Sequence, residues 1–369
     1  MLARGSSASG GKEEARKWCE MLTRQFDRIV CLVCFVFPLL SVNLLANEEE
    51  IDSLIYRGIE LTLQENYNEA MGVFAKIIQS DAESPVGYFL QATVLQIKML
   101  DFESNNYERE FYKLLDTTIA KTERSLTKNP DDAWVYFYLG ASYGYKAAYE
   151  GKNQKYFSAL HHGLKAISKL KKALKCDPNL YDAYLGLGTY HYFRTKATKF
   201  ISWLPFIGDT REQGIAEIRL AMEKGKYSKT LAKNGLVWIF IEEKRYEEAL
   251  SLAQELLREY SESRTFHWAP AEIYYHRKEW EKANDMFHQL LRLIEQSNLP
   301  NNYNLVVVKY RLAQTYFYQK KFGECIRECK EILQLPLDER SKSRLEDIIS
   351  EIEELLKRAK SKQKSQKKE

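Results

Sequence analysis

Residues 136–143 read YFYLGASY and residues 184–191 read YLGLGTYH. Each stretch opens on an aromatic residue, continues to Leu-Gly (Leu139-Gly140 and Leu187-Gly188) and ends three residues later on a ring, Tyr143 or His191. Apolar residues three and four apart lie on one face of a helix. A glycine at the centre of that face marks a place where a second helix comes close, because paired helices approach within about 8–10 Å only where side chains are short.

Working outward, the same small residue recurs at Gly58, Ala92, Gly140, Gly188, Val237, Ala271 and Ala313, with steps of 34, 48, 48, 49, 34 and 42. Downstream, Tyr67-Ala70, Tyr246-Ala249 and Trp280-Ala283 repeat an aromatic–small pair, and Pro130 and Pro178 stand six residues before Tyr136 and Tyr184. This pattern resembles the tetratricopeptide repeat over about residues 51 to 337. The resemblance implies an all-α fold: a TPR-like right-handed α-solenoid of about seven helical hairpins. Three middle units exceed the 34-residue period by 14 or 15 residues. Fourteen residues make about four helical turns, so two turns can be added to each helix without rotating its buried face. Units two and three are expected to lengthen in this way. The fourth cannot, since its extra residues contain Pro205 and Gly208.

That insert, KFISWLPFIGDTREQG over 199–214, gathers Phe200, Ile201, Trp203, Leu204, Phe206 and Ile207 around Pro205. Proline excludes continued helix, Gly208 permits positive φ, and Asp209 or Thr210 can cap the next helix. LPFIGDTREQGIAEI is similar to the Leu-Pro, Gly-Asp-Arg, Gly-Leu signature of inclusion-body-clearance-type tetratricopeptide proteins, with Thr210 where an arginine is expected. Three roles are open to the loop's Phe200, Trp203, Leu204 and Phe206: a plug in its own solenoid, a partner anchor, or an interfacial membrane anchor beside Lys196 and Lys199.

In such a solenoid the first helices line a concave groove. The positions expected to face it are Trp134, Phe137, Tyr145, Tyr192, Phe193, Trp238, Trp268, Tyr275, Tyr310 and Tyr318. Tyr and Trp bury much area at little entropic cost, which suits an apolar or amphipathic peptide. The lysine and asparagine set that clamps a peptide carboxylate in chaperone-binding relatives is absent. There is no HExxH, no phosphate-cradling glycine loop and no GxSxG. The adjacent His161 and His162 point about 100° apart on a helix, and Cys325 and Cys329 occupy small buried repeat positions. The expectation is a non-enzyme without cofactor or metal, acting as a protein-interaction scaffold; the alternative is a membrane-associated transport or lipid-handling factor. Nucleic acid is not an expected partner.

The termini set the expected compartment. IVCLVCFVFPLLSVNLLA over 29–46 is uncharged and follows Arg24 and Arg28, as in a signal peptide ending at Ala46 or an uncleaved anchor. Translation from Met21 would give an ordinary-length signal. The protein is therefore expected in the periplasm or cell envelope. The resulting domains are an extension and signal over 1–46, the solenoid over 47–338, a polar capping helix over 339–360 and a basic disordered tail over 361–369.

Overall fold

The computed structural model describes residues 48–197, 208–297 and 299–367. The chain divides into two compact units, Met1–Ile55 and Tyr56–Glu369. Fifteen helices and no strand occur among the described residues. The first, α1, covers 48–63, and its residues 56–63 belong to the second unit with all the others. The helices pair in order: α1 with α2 (Tyr67–Ser80), α3 (Val86–Asp101) with α4 (Glu108–Lys128), and α5 (Ala133–Lys152) with α6 (Tyr156–Cys176). Then follow α7 (Ala183–Ala197) with α8 (Arg211–Lys224), α9 (Lys229–Glu242) with α10 (Tyr246–Glu259), α11 (Arg264–His276) with α12 (Trp280–Glu295), and α13 (Asn302–Tyr318) with α14 (Phe322–Ile332). A long α15 (Glu339–Gln366) closes the series, so seven hairpins and a cap make up the fold.

Short side chains set the spacing within the hairpins. A Cβ on Gly58 would fall 2.2 Å from the Phe74 ring, and one on Gly140 would fall 2.9 Å from Leu170. Ala92, Val237, Ala271 and Ala313 have no exposed surface at all. The third hairpin takes its extra length as expected, with helices of 20 and 21 residues. The second does so unevenly: α3 has 16 residues and α4 has 21, separated by a turn over 102–107. Glu103 adopts φ 48° in that turn. In the fourth, α7 and α8 flank 198–207, which lie outside the described residues.

At five hairpin tips the chain reverses through a non-glycine residue of positive φ: Glu65, Gln154, Lys244, Lys278 and Lys320, at 59–64°. Two residues on, an aromatic opens the second helix each time (Tyr67, Tyr156, Tyr246, Trp280, Phe322). The intervening N–H reaches back five residues, as from Arg245 to the Phe240 carbonyl at 2.8 Å and from Lys321 to Tyr316 at 2.9 Å. This is the helix ending that favours glycine, since a Cβ in the left-handed region is strained. Replacing the exposed Lys244, Lys278 and Lys320 together with glycine is therefore expected to stabilise the fold by about 0.5–1 kcal/mol per site. Chemical denaturation measures it, and an unchanged or lower midpoint would show that these turns carry no strain.

Polar contacts tie the beginning of this unit to its later hairpins. Arg264, at the start of α11, places its guanidinium 2.5 Å from Asp101 Oδ2 and 3.0 Å from Glu65 Oε2. The Asn301 and Asn304 side chains donate to the Asp101 carbonyl at 3.0 and 2.7 Å. Tyr260 donates to Glu60 at 3.0 Å, and Arg344 of α15 pairs with Glu103 at 2.6 Å. Ile59 and Leu63 of α1 pack into the same apolar cluster as Leu236, Ile239, Phe266 and Ile273. Part of the first hairpin thus packs against the first helices of the fifth and sixth hairpins.

The C-terminal assignment needs correction. The cap does not end at residue 360 with a disordered tail, because α15 stays helical through Gln366. Its Leu345, Ile352, Leu355 and Ala359 are buried against the last hairpin. Beyond them, straight-chain Lys and Gln are good helix formers, and cations favour a helix C-terminus.

Candidate functional site

The ten expected groove residues separate into three groups. Trp134, Phe137 and Tyr145 meet inside the unit, around Phe89, with ring centroids 5.4–6.4 Å apart. Trp134 also lies 5.4 Å from Tyr227, at the start of α9. Burial raises the Tyr145 phenol above its ordinary pKa. Tyr192 and Tyr310 are not available to a partner: both rings are buried, and their hydroxyls donate to Glu243 (2.8 Å) and Glu351 (2.7 Å). The glutamates come from the end of the next first-position helix and from the cap, elements whose arrival the local pattern does not announce. Trp268 and Tyr275 are half-buried against the last core cluster. Phe193, Trp238 and Tyr318 remain exposed, Tyr318 stacked on Trp280 at 4.5 Å.

The loop residues Phe200, Trp203, Leu204 and Phe206 lie outside the described residues. The segment that follows them is tightly held. Asp209 accepts from the Arg211 backbone at 2.9 Å and from its guanidinium at 2.7 Å, and Arg211 reaches Glu243 at 3.2 Å. The bidentate Arg211 partner holds the Asp209 carboxyl below the usual carboxylate range. Thr210 donates to the His191 carbonyl at 2.6 Å rather than capping α8. His191, placed by the repeat at a buried position, is buried and pairs with Glu217 at 2.6 Å. Gln213 donates to Glu217 at 2.9 Å. Gly214 and Gly188 bring α8 and α7 into backbone contact.

A surface that the groove argument misses lies at the start of α6. Phe157 is 94% exposed, with Tyr156, Leu160 and Leu164 at 67%, 61% and 53%. The signal is present in YFSALHHGLKAI: Ala159, Gly163 and Ala166 supply one face for α5, leaving Phe157, Leu160 and Leu164 as a second apolar stripe at helical spacing. Cys325 and Cys329 are fully buried. Among the described residues no three His, Cys, Asp or Glu stand together as metal ligands, and no helix is long and apolar enough to cross a membrane.

Comparison with family models and with curated proteins gives no match. Among solved structures, a chain of the APC/C hetero-tetramer Cut9–Hcn1 superposes with a TM-score of 0.52 at 14% identity. The match covers 83% of this chain and 55% of that one, so the present chain spans about half the length of its neighbour. With the hairpin repeat, this decides the architecture. The chain has a tetratricopeptide-like α-solenoid fold. PilW, a type IV pilus biogenesis factor, gives 0.45 at 14% identity over 67% of this chain and 96% of its own. The human IFIT1 dimer with m7Gppp-AAAA gives 0.44 at 17% identity over 76% and 59%. At these identities the likeness concerns the tetratricopeptide fold alone.

Proposed function

We propose that this protein is a non-catalytic interaction scaffold of the cell envelope, binding an apolar or amphipathic segment of a protein partner. The observation that carries the reading is the exposed stripe Phe157, Leu160 and Leu164 on α6, with Tyr156 beside it. Contiguous apolar surface of this kind marks an interaction site, and residues spaced by one helical turn suit a partner helix or strand laid along them. Phe193, Trp238 and Tyr318 are further exposed rings, on α7, α9 and α13. The uncharged run at 29–46 supports the envelope assignment, and the loop over 199–214 is proposed as a second contact. Solenoids of this type present extended surfaces to other chains.

The test is a triple variant, F157S/L160S/L164S. Exposed positions usually change stability by no more than about 0.5 kcal/mol each, so the variant should melt as the parent does. Cross-linking in envelope extracts should then lose the parent's partner band. Retention of the same partner would overturn the stripe as the docking surface. Transfer of the effect to vesicle flotation would favour the alternative, a membrane-associated lipid-handling factor.

A further inference from the structure

The apolar stripe on α6 ends part-way along the helix, and the same face then becomes basic. Phe157, Leu160 and Leu164 are followed by Lys171 and Lys175, both exposed. Lys171 stands eleven residues after Leu160, and Lys175 stands eighteen after Phe157. These steps are about three and five turns at 3.6 residues per turn, so apolar and charged positions project along one line. From Phe157 to Lys175 that line is about 27 Å long at 1.5 Å per residue. Its basic half borders an open cleft lined by Tyr136, Ser168, Lys169, Lys171, Lys172 and Lys175.

No carboxylate of α6 offsets this charge. Residues 156–176 contain five lysines and neither Asp nor Glu, whereas α2, α4, α8, α10, α12 and α14 each carry at least one acidic residue. Two of the lysines are engaged within the chain. Lys165 lies over the Tyr143 ring at 5.2 Å, and Lys172 lies over Tyr136 at 5.6 Å and 3.6 Å from Asp131. Lys171 and Lys175 have neither an ion pair nor a ring partner among the described residues. Complementary charge sets the register of an association and speeds encounter, so a partner that covers the stripe and continues along α6 must present carboxylates. A bilayer fits this face poorly. A helix lying flat on it sets Lys175 at the depth of Phe157, which draws an ammonium toward hydrocarbon. A polypeptide can change its chemistry along its length, as this face does.

We infer that the α6 face binds an acidic amphipathic helix of a partner protein. Its apolar residues cover Phe157, Leu160 and Leu164, and its Asp or Glu side chains, about two turns further along the same face, meet Lys171 and Lys175. The inference rests on the α6 stripe as the docking surface and adds the partner's charge pattern. The probes are synthetic helical peptides with leucines on one half of a face and glutamates on the other half, one for each chain direction, and the same peptides with lysine for glutamate. Fluorescence anisotropy against the full chain should show saturable binding of a glutamate peptide, about tenfold tighter than either lysine peptide. The preference should shrink as salt rises from about 0.1 M to about 1 M. K171E/K175E should reverse the preference and K171Q/K175Q should abolish it. Both change exposed positions and should melt as the parent does. Unchanged preference in K171E/K175E, with F157S/L160S/L164S losing the peptide, would overturn the charge pairing and leave the stripe standing. Retention of the peptide by F157S/L160S/L164S would overturn both readings. No saturable binding of either glutamate peptide would overturn the inference, and flotation of the parent with phosphatidylglycerol vesicles in its place would assign the face to a membrane.

Discussion

Replacing Arg264 with methionine should destabilise the protein by about 3–5 kcal/mol, the cost of removing one partner from a buried ion cluster. The guanidinium stands between Glu65 and Asp101, whose side chains are only 5% and 3% exposed. Methionine keeps an apolar stem but leaves two carboxylates facing each other out of water. Glu65 already has a pKa above its ordinary value, through burial first and the neighbouring Asp101 second. Without Arg264 that rise should grow. The sign of the pH effect follows. A carboxyl with a raised pKa in the folded state binds protons that the unfolded chain has released, so stability falls as pH rises through the folded value. The variant should therefore regain part of its loss on acidification from neutral pH toward the unfolded carboxylate range near pH 4.3. Urea denaturation at a series of pH values measures both effects. A loss below about 1 kcal/mol at neutral pH, or one that deepens on mild acidification relative to the parent, would contradict the burial of this cluster.

The second large effect is expected at Gly188. A Cβ there would sit 2.5 Å from the Gly214 carbonyl oxygen, and a Cβ on Gly214 would sit 2.5 Å from the Gly188 carbonyl oxygen. The obstacle is backbone, which cannot turn aside as a side chain would. Even alanine must push α7 and α8 apart, and overpacking of this kind costs about 1–3 kcal/mol. Leucine should cost more. Gly72 and Gly235 serve as controls within helices, since a Cβ at either meets nothing within 4 Å. Alanine at those two sites should stabilise by about 0.5–1 kcal/mol through helix propensity. Thermal unfolding of the four alanine variants would reveal whether contact or propensity governs; uniform stabilisation would dismiss the close approach.

The contrast between these glycines shows what the sequence makes legible. Gly58, Gly140 and Gly188 recur in phase with aromatic residues, and recurrence separates a packing glycine from an incidental one such as Gly72. The hairpins and the cap follow from that phase because their contacts are local, within one or two neighbouring helices. The Arg264 cluster has no such signature: its partners Asp101 and Glu65 lie 163 and 199 positions earlier in sequence, and one arginine among many carries no period. Tyr192 illustrates the same limit. Its phase fits a groove position, but the carboxylates at the end of α9 accept its hydroxyl and the ring joins the core. The α6 stripe is readable, since Phe157, Leu160 and Leu164 are spaced as a face, yet the expectation of a concave groove directs attention to the other helix of each pair. At the C-terminus, net charge reads as disorder although the same lysines extend a helix.

The ties from Glu65, Asp101 and Glu103 to α11, α13 and α15 change how such an array comes apart. In a linear stack each repeat touches only its neighbours, so unfolding can begin at an end and travel inward. Here a terminal hairpin cannot open without surrendering contacts to a later one, and early and late parts of the unit lose their protection together. The cost is kinetic. Contacts separated by about 160–240 residues along the chain must close a large loop before they return any stability, which slows assembly relative to an open stack of the same helices. Among the described residues the early and late hairpins therefore behave as one cooperative element that is slow to form.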